Sequence, residues 1–166
     1  MVLCDCGDNP GAGARGNTVH GLGTLLDHRP VIRGAVVGCL PDAELAAEAV
    51  AAGEGAEIAD AAFNSAEPGA SLSGQLSARV RVLRISHDGV FTGTRGMACG
   101  TRTSFGPCAL LQVFSECGSA AVIVAVITQR IQVLSTDYFA FFGLDVHGRV
   151  VTPACQIDHM DCLLTI

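Results

Sequence analysis

Ala35-Val36-Val37-Gly38-Cys39-Leu40 followed by Pro41-Asp42-Ala43-Glu44-Leu45-Ala46-Ala47-Glu48-Ala49-Val50-Ala51-Ala52-Gly53 is the stretch that decides the fold class. Its first part is a short continuous apolar run, the pattern of a central strand buried on both faces. The second part opens a helix at Pro41: proline is tolerated at a helix start, and the early carboxylates of Asp42 and Glu44 suit the positive end of the helix dipole. The helix runs through Ala52 and stops at Gly53. Its alanines leave room for close packing on a sheet. A strand delivering directly into such a helix is the unit of an α/β architecture.

Upstream, Met1 to Cys4 reads as a buried strand and is followed by Asp5-Cys6-Gly7-Asp8-Asn9-Pro10-Gly11-Ala12-Gly13-Ala14-Arg15-Gly16-Asn17-Thr18. Asp8-Asn9-Pro10-Gly11 is a turn signal, in which Asx side chains bond the local backbone, Pro10 fixes one φ and Gly11 accepts φ > 0. Gly11, Gly13 and Gly16 let the chain bring bare N–H groups close to a ligand. With Asn17 or Thr18 as a cap, those amides and the next helix N-terminus converge where a carboxylate or phosphate could sit. A tight strand-to-helix connection without a ligand accounts for the same residues. Val19, Leu22, Leu25 and Leu26 then recur at helical spacing, with His20 and His28 assigned to the polar side or end of that helix.

Downstream, Ala56 to Phe63 reads as a strand, Asn64 to Gly69 as a loop, and Leu76 to Ile85 as an alternating strand. Leu76, Ala78, Val80 and Val82 share its dry face; Ser77, Arg79 and Arg81 share its wet one. Asp88-Gly89 is a hairpin signal joining this strand to Val90-Phe91-Thr92. Gly93 to Gly106 reads as a long loop or irregular strands. Ala109 to Phe114 and Ala120 to Ile127 form a strand pair joined through Glu116-Cys117-Gly118. Thr136 to Gly143 is a short capped helix with an aromatic core face, and Val150-Val151 starts a last strand that Pro153 confines to an edge. The expected fold is α/β: a mixed sheet with flanking helices and a β-rich second half, in one domain over residues 1–166.

Composition bounds the function. The 166 residues carry a formal net charge of −6, and no basic cluster occurs, so the electrostatic footprint of a nucleic-acid binder is missing. Mean hydropathy is +0.44 with 49% hydrophobic residues, a surplus that implies a surface partly covered by another body. The apolar run from Ala120 to Ile127 is too short to span a bilayer, and the start of the sequence lacks the pattern of a secretion signal, so a cytoplasmic location is expected. The eight cysteines form no C-x-x-C pair, and their even number does not by itself establish disulfides. Cys4 and Cys6, read as neighbours on one strand face, are expected to be small core residues rather than soft-metal ligands.

Taken together, the motifs resemble the C-terminal domain of the MlrC family, relatives of the microcystin-degrading metallopeptidase. The resemblance is carried by Leu3 to Gly13, which is similar to the family's strand followed by D-N-P-G-G-G. It continues through Gly38-Cys39-Leu40-Pro41-Asp42, Ala51 to Ala56, Asp88-Gly89-Val90-Phe91, Gly106-Pro107-Cys108-Ala109 and Ile127-Thr128-Gln129-Arg130-Ile131-Gln132. Asp137, Phe142-Gly143 and Leu144-Asp145 complete it. Two departures stand out: Ala12 replaces the second loop glycine and Asn17 replaces an acidic residue after the loop. The tail from Thr152 to Cys162 also lacks the family's K-S-x-x-H-F-R-like segment, with only His159 near its histidine.

The resemblance implies part of a zinc-dependent peptidase or amidohydrolase, in which a preceding N-terminal domain, outside this chain, holds most of the metal ligands and is its partner. Asp8, Asn9, Gly11, Gly13 and Arg130 are the residues expected to face a peptide or amide substrate. No metal ligand is assigned within the chain, and zinc is expected not to bind it alone. Asp5 and Asp8 could aid a metal site in principle, since hard oxygens bind zinc, but a turn-stabilising role for Asp8 is the competing reading. The alternative function is a non-catalytic module that binds an anionic small molecule or a protein partner through the Gly-rich loop.

Overall fold

The computed structural model describes residues 6–27, 35–64, 74–116, 120–146 and 151–153. Its centre is a six-stranded mixed sheet, and the run that decides the fold class supplies one of its inner strands. In chain order the sheet strands are β1 (Ala35–Pro41), β2 (Glu57–Phe63), β3 (Leu76–Ser86), then β6 (Cys108–Phe114), β7 (Ala120–Ile127) and β8 (Val151–Pro153). Two short strands between them, β4 (Val90–Thr92) and β5 (Arg102–Ser104), pair only with each other. The sheet order is β2-β3-β6-β7-β1-β8. One half is antiparallel (β2, β3, β6, β7) and the other parallel, with β1 pairing β7 on one side and β8 on the other.

The two faces are covered differently. Helices α1 (His20–Asp27) and α2 (Ala43–Ala52) lie on one face over Leu111, Val113, Val122, Val124, Val126, Val80 and Val82. Leu45, Ala46 and Ala49 of α2 are buried there, so the alanines do allow the close packing expected of them. On the other face α3 (Asp137–Phe141), the β4–β5 hairpin and the irregular segment around Phe105 and Val133 cover Leu110, Ala125 and Ile127.

Strand β1 serves both faces by alternation, and a bulge near its end resets which residue faces which side. Its register against β7 shifts between Val37 and Leu40, where Cys39 sits at φ 54. The extra residue turns Cys39 toward the aromatic cluster and returns Leu40 to the helical one. Gly38 lies directly under the Phe139 ring, at a place where a Cβ would collide with it.

Several expectations need correction. Pro41 ends β1, paired with Ile127, and Asp42 is the cap of α2, so the proline closes a strand rather than opening the helix. Asp88-Gly89 does turn the chain, with Gly89 at φ 56, but it does not join β3 and β4 into a hairpin. The end of β3 pairs with β6 up to Ser86, and β4 leaves the sheet and pairs with β5. Cys6 begins a 3-10 turn, Cys6–Asp8, so it does not continue a strand. The strand expected over Met1 to Cys4, with Asp5, lies outside the described residues, as do His28, the Cys117-Gly118 turn, Val150 and the tail with His159.

Candidate functional site

Strands β1 and β7 run parallel, so their carboxyl ends, Pro41 and Ile127, lie side by side. In open α/β sheets the crevice outside the carboxyl ends of parallel strands is where ligands collect. The Gly-rich loop is tied to the segment just beyond β7. Arg130, three residues past the end of that strand, donates from Nη1 to the carbonyl oxygen of Ala14 at 3.0 Å. Gln132, two residues further on, fills the space where a side chain at Gly11 would stand. Asp8, Asn9, Gly11 and Gly13 are thus gathered with Arg130 in one place, although 116 residues separate Ala14 from Arg130.

The loop is internally bonded to a degree its sequence does not announce. Asn9 caps a 3-10 turn, Pro10–Ala12, its Oδ1 accepting from the Gly11 amide at 2.8 Å. The Ala12 and Ala14 amides donate to Asn9 O, and the Gly13 amide to Pro10 O. Asp8 takes the next two: Oδ1 accepts from the Gly16 amide at 2.8 Å and Oδ2 from the Thr18 amide at 2.7 Å. The anion at this collection of N–H groups is therefore the loop's own carboxylate, the turn-stabilising role set out for Asp8. The positive φ expected at Gly11 falls instead at Gly13 (95) and Gly16 (74), and the Pro10 ring covers Gly16. At Gly11 the end of the Gln132 side chain lies where a Cβ would stand, and that flexible end could move aside.

Beneath the loop lies a buried polar relay that sequence reading did not single out. Asn64, just past β2, is 3% exposed and stands at φ 58, a left-handed conformation in which asparagine is enriched. Its N–H donates to Asp42 Oδ2 at 2.7 Å, and its Nδ2 donates to Asn17 O at 2.5 Å. A lone asparagine after a strand, before a Ser- and Gly-rich stretch, was the available signal. It is weak.

On the aromatic face an open cleft of about 450 Å³ is lined by Thr94, Arg95, Thr136, Asp137, Leu144 and Asp145, among others. Asp137 bridges its walls, accepting from the Thr94 and Arg95 amides at 2.6 and 2.9 Å. Partial burial opposes its ionisation, but the Thr94 N–H and hydroxyl, the Arg95 N–H and the Ser135 hydroxyl outweigh that and hold its pKa below the ordinary value. Cys39 and Cys108 are buried in the same face. Desolvation drives the Cys39 thiol strongly upward, with Cys108 adding to it, and pushes Cys108 up to about 11, with Asp88 adding to it. Both stay protonated at neutral pH, so neither offers the thiolate that nucleophilic chemistry requires.

The chain that carries this loop has counterparts among known proteins. The family model described as MlrC C-terminus matches residues 3–152. The chain belongs to the MlrC C-terminal family. The same fold occurs in the crystal structure of a "Putative metallopeptidase" from Mesorhizobium sp. BNC1, with a TM-score of 0.76 at 23% identity over 93% of this chain. The chain spans 29% of the length of that protein, so the MlrC C-terminal fold is there one part of a longer molecule. No curated protein sequence matches the chain.

The same geometry bears on whether a metal could be held. Among the described residues no group of three or more His, Cys, Asp or Glu gathers, and both oxygens of Asp8 already accept amides of the loop. A zinc ion needs about four ligands. The described residues do not fit that requirement. Among them, too, no helix is long and apolar enough to cross a membrane.

Proposed function

We propose that this chain forms the substrate-side wall of a zinc-dependent, MlrC-type peptidase or amidohydrolase acting in the cytoplasm, with the metal held by a separate N-terminal domain. One observation carries the reading. The Gly-rich loop is tied through Ala14 O to the Arg130 guanidinium, which follows the carboxyl end of β7 where β7 and β1 end side by side. Asp8, Asn9, Gly11 and Gly13 shape that wall, the Gly11 and Gly13 amides being already bonded within the loop, and Arg130, anchored through Nη1 to Ala14, offers its remaining N–H groups to carbonyl or carboxylate oxygens. An arginine held by one nitrogen keeps its fork oriented, which suits planar amide or carboxylate groups.

The test is hydrolysis of a broad set of peptides and amides, with zinc content measured in parallel, for this chain alone and combined with a metal-binding domain of the family. Cleavage should appear only in the combination, should vanish with a chelator, and should fall at least about tenfold in kcat/KM with Arg130→Ala, the cost of one charge-assisted hydrogen bond. Stoichiometric zinc and activity in the chain alone would overturn the division of labour. Tight binding of an anionic small molecule by the chain alone, with no gain of hydrolysis in the combination, would establish the binding-module alternative instead.

A further inference from the structure

The last turn of the Gly-rich loop is gripped from two opposite sides. Asp8 holds the amides of Gly16 and Thr18. The peptide oxygen between them, on Asn17, accepts from Nδ2 of Asn64 at 2.5 Å. The same Nδ2 reaches Gly74 O at 3.3 Å, just ahead of β3. Through its own N–H, Asn64 holds Asp42 Oδ2, while the other Asp42 oxygen caps α2 by accepting from the Leu45 amide at 3.0 Å. The Asp42 amide donates to Ile127 O at 2.9 Å, at the carboxyl end of β7. A continuous chain of hydrogen bonds therefore runs from the loop at Asn17, through Asn64 and Asp42, to the strand whose continuation carries Arg130.

Asn17, Asn64 and Asp42 are 4%, 3% and 9% exposed, so water cannot readily replace these bonds. Breaking one leaves a buried polar group without its partner, which costs far more than the bond is worth at the surface. Few residues could fill the Asn64 position. It must stand at φ 58 and project a donor toward Asn17; glycine supplies the first requirement without the second, and alanine supplies neither.

We infer that Asn64 is a positioning residue for the Gly-rich loop, setting where residues 8–16 lie relative to Arg130 from a site that does not itself face the cleft. Its functional meaning rests on the reading of the loop as a cleft wall, but its physical content does not. Contacts within the loop shape its turn at residues 9–14. The Asn64 amide holds its last turn, residues 16–18, closed on the sheet, while Arg130 ties Ala14.

The experiment is amide hydrogen exchange of the chain, followed residue by residue, for Asn64→Gly and Asn64→Ala. With Asn64→Gly, exchange at Gly16 and Thr18 should accelerate about tenfold or more, while amides in the centres of β6 and β7 change much less. Asn64→Ala should loosen the loop equally and also lower the unfolding midpoint, because it adds backbone strain. Unchanged exchange at Gly16 and Thr18 in the glycine variant would overturn the inference. Acceleration in step with the β6 and β7 amides would do so too, since that reports global destabilisation alone. If the alanine variant does not fold, the glycine variant decides. The readout uses no activity, so failure of the cleft reading in the Arg130→Ala test and failure of the relay are separate results.

Discussion

The face of the sheet under α1 and α2 is built, Phe63 apart, from aliphatic side chains on regular elements, whereas on the opposite face the strand residues are covered mainly by aromatic side chains, several on irregular backbone. On the first, Val80, Val82, Leu111, Val113, Val122, Val124 and Val126 alternate along their strands and meet the buried stripes of two helices. On the second, Phe105 lies in the linker between β5 and β6, yet its ring stacks on Phe91 and Phe142 with centroids 4.9 and 5.8 Å away and packs edge-on against Phe141 at 5.3 Å. Tyr138 meets both Phe91 and Phe105, at 5.0 and 5.7 Å. Backbone regularity holds one face and ring geometry the other. Each face is also pinned by an aspartate at a helix start: Asp42 ties α2 to Asn64, and Asp137 ties α3 to the Thr94–Arg95 segment.

If the ring cluster bears the aromatic face, its central member should matter more than an equally buried aliphatic residue opposite. Phe105→Ala should lower unfolding free energy by about 3–5 kcal/mol, toward the top of the range for large-to-small core changes, because the rings and strand residues around it cannot all collapse into the space. Leu111→Ala, also fully buried, should cost about 2–4 kcal/mol. Urea denaturation of the two variants checks this. A Leu111 variant clearly worse than the Phe105 variant would break the comparison. A smaller effect of opposite chemistry is expected at Gly38→Ala, where a methyl group is added under the Phe139 ring. Overpacking there should cost about 1–3 kcal/mol. Its signature would be altered ring contacts of Phe139 in nuclear Overhauser spectra, with the α2 side undisturbed.

The same contrast governs how much the sequence reveals. Strands β1, β2, β3, β6 and β7 and helices α1, α2 and α3 are all legible, because continuous apolar runs, alternation in β3, helical spacing and caps report burial and element ends directly. The misreadings fall where a contact distant in sequence decides local geometry. Pro41 looks like a helix opener until β7 claims it as the last paired residue of β1. Asp88-Gly89 looks like a hairpin until β6 takes the end of β3 and β5 takes β4. At the candidate site, the loop and Arg130 are visible as motifs, but nothing local says that Asp8 will consume the amides of Gly16 and Thr18. Asn64 is harder still. Its importance lies in an acceptor 47 residues earlier, which no local pattern encodes.

The smallest expected effect concerns the two aspartate pins and separates them by pH. Asp137 is partly buried, and hydrogen-bonding groups from Thr94, Arg95 and Ser135 keep its folded pKa below the ordinary 3.8 despite the opposing cost of burial. A carboxylate whose folded pKa is depressed adds stability that is fully present above its unfolded pKa. That stability is lost as pH falls through the folded value. Asp137→Asn keeps the shape but removes the charge that strengthens those bonds, and with solvent screening on its open side should cost about 0.5–1 kcal/mol at pH 7. Once pH has fallen through that lowered folded value the wild-type carboxyl takes up its proton too, so the gap between the two proteins should close. Urea midpoints followed from pH 7 down through the acid range until the wild-type carboxyl is protonated test this directly. A gap that persists unchanged in acid would mean that Asp137 holds Thr94 and Arg95 by shape alone, and the aromatic face would then owe its attachment to the rings without help from charge.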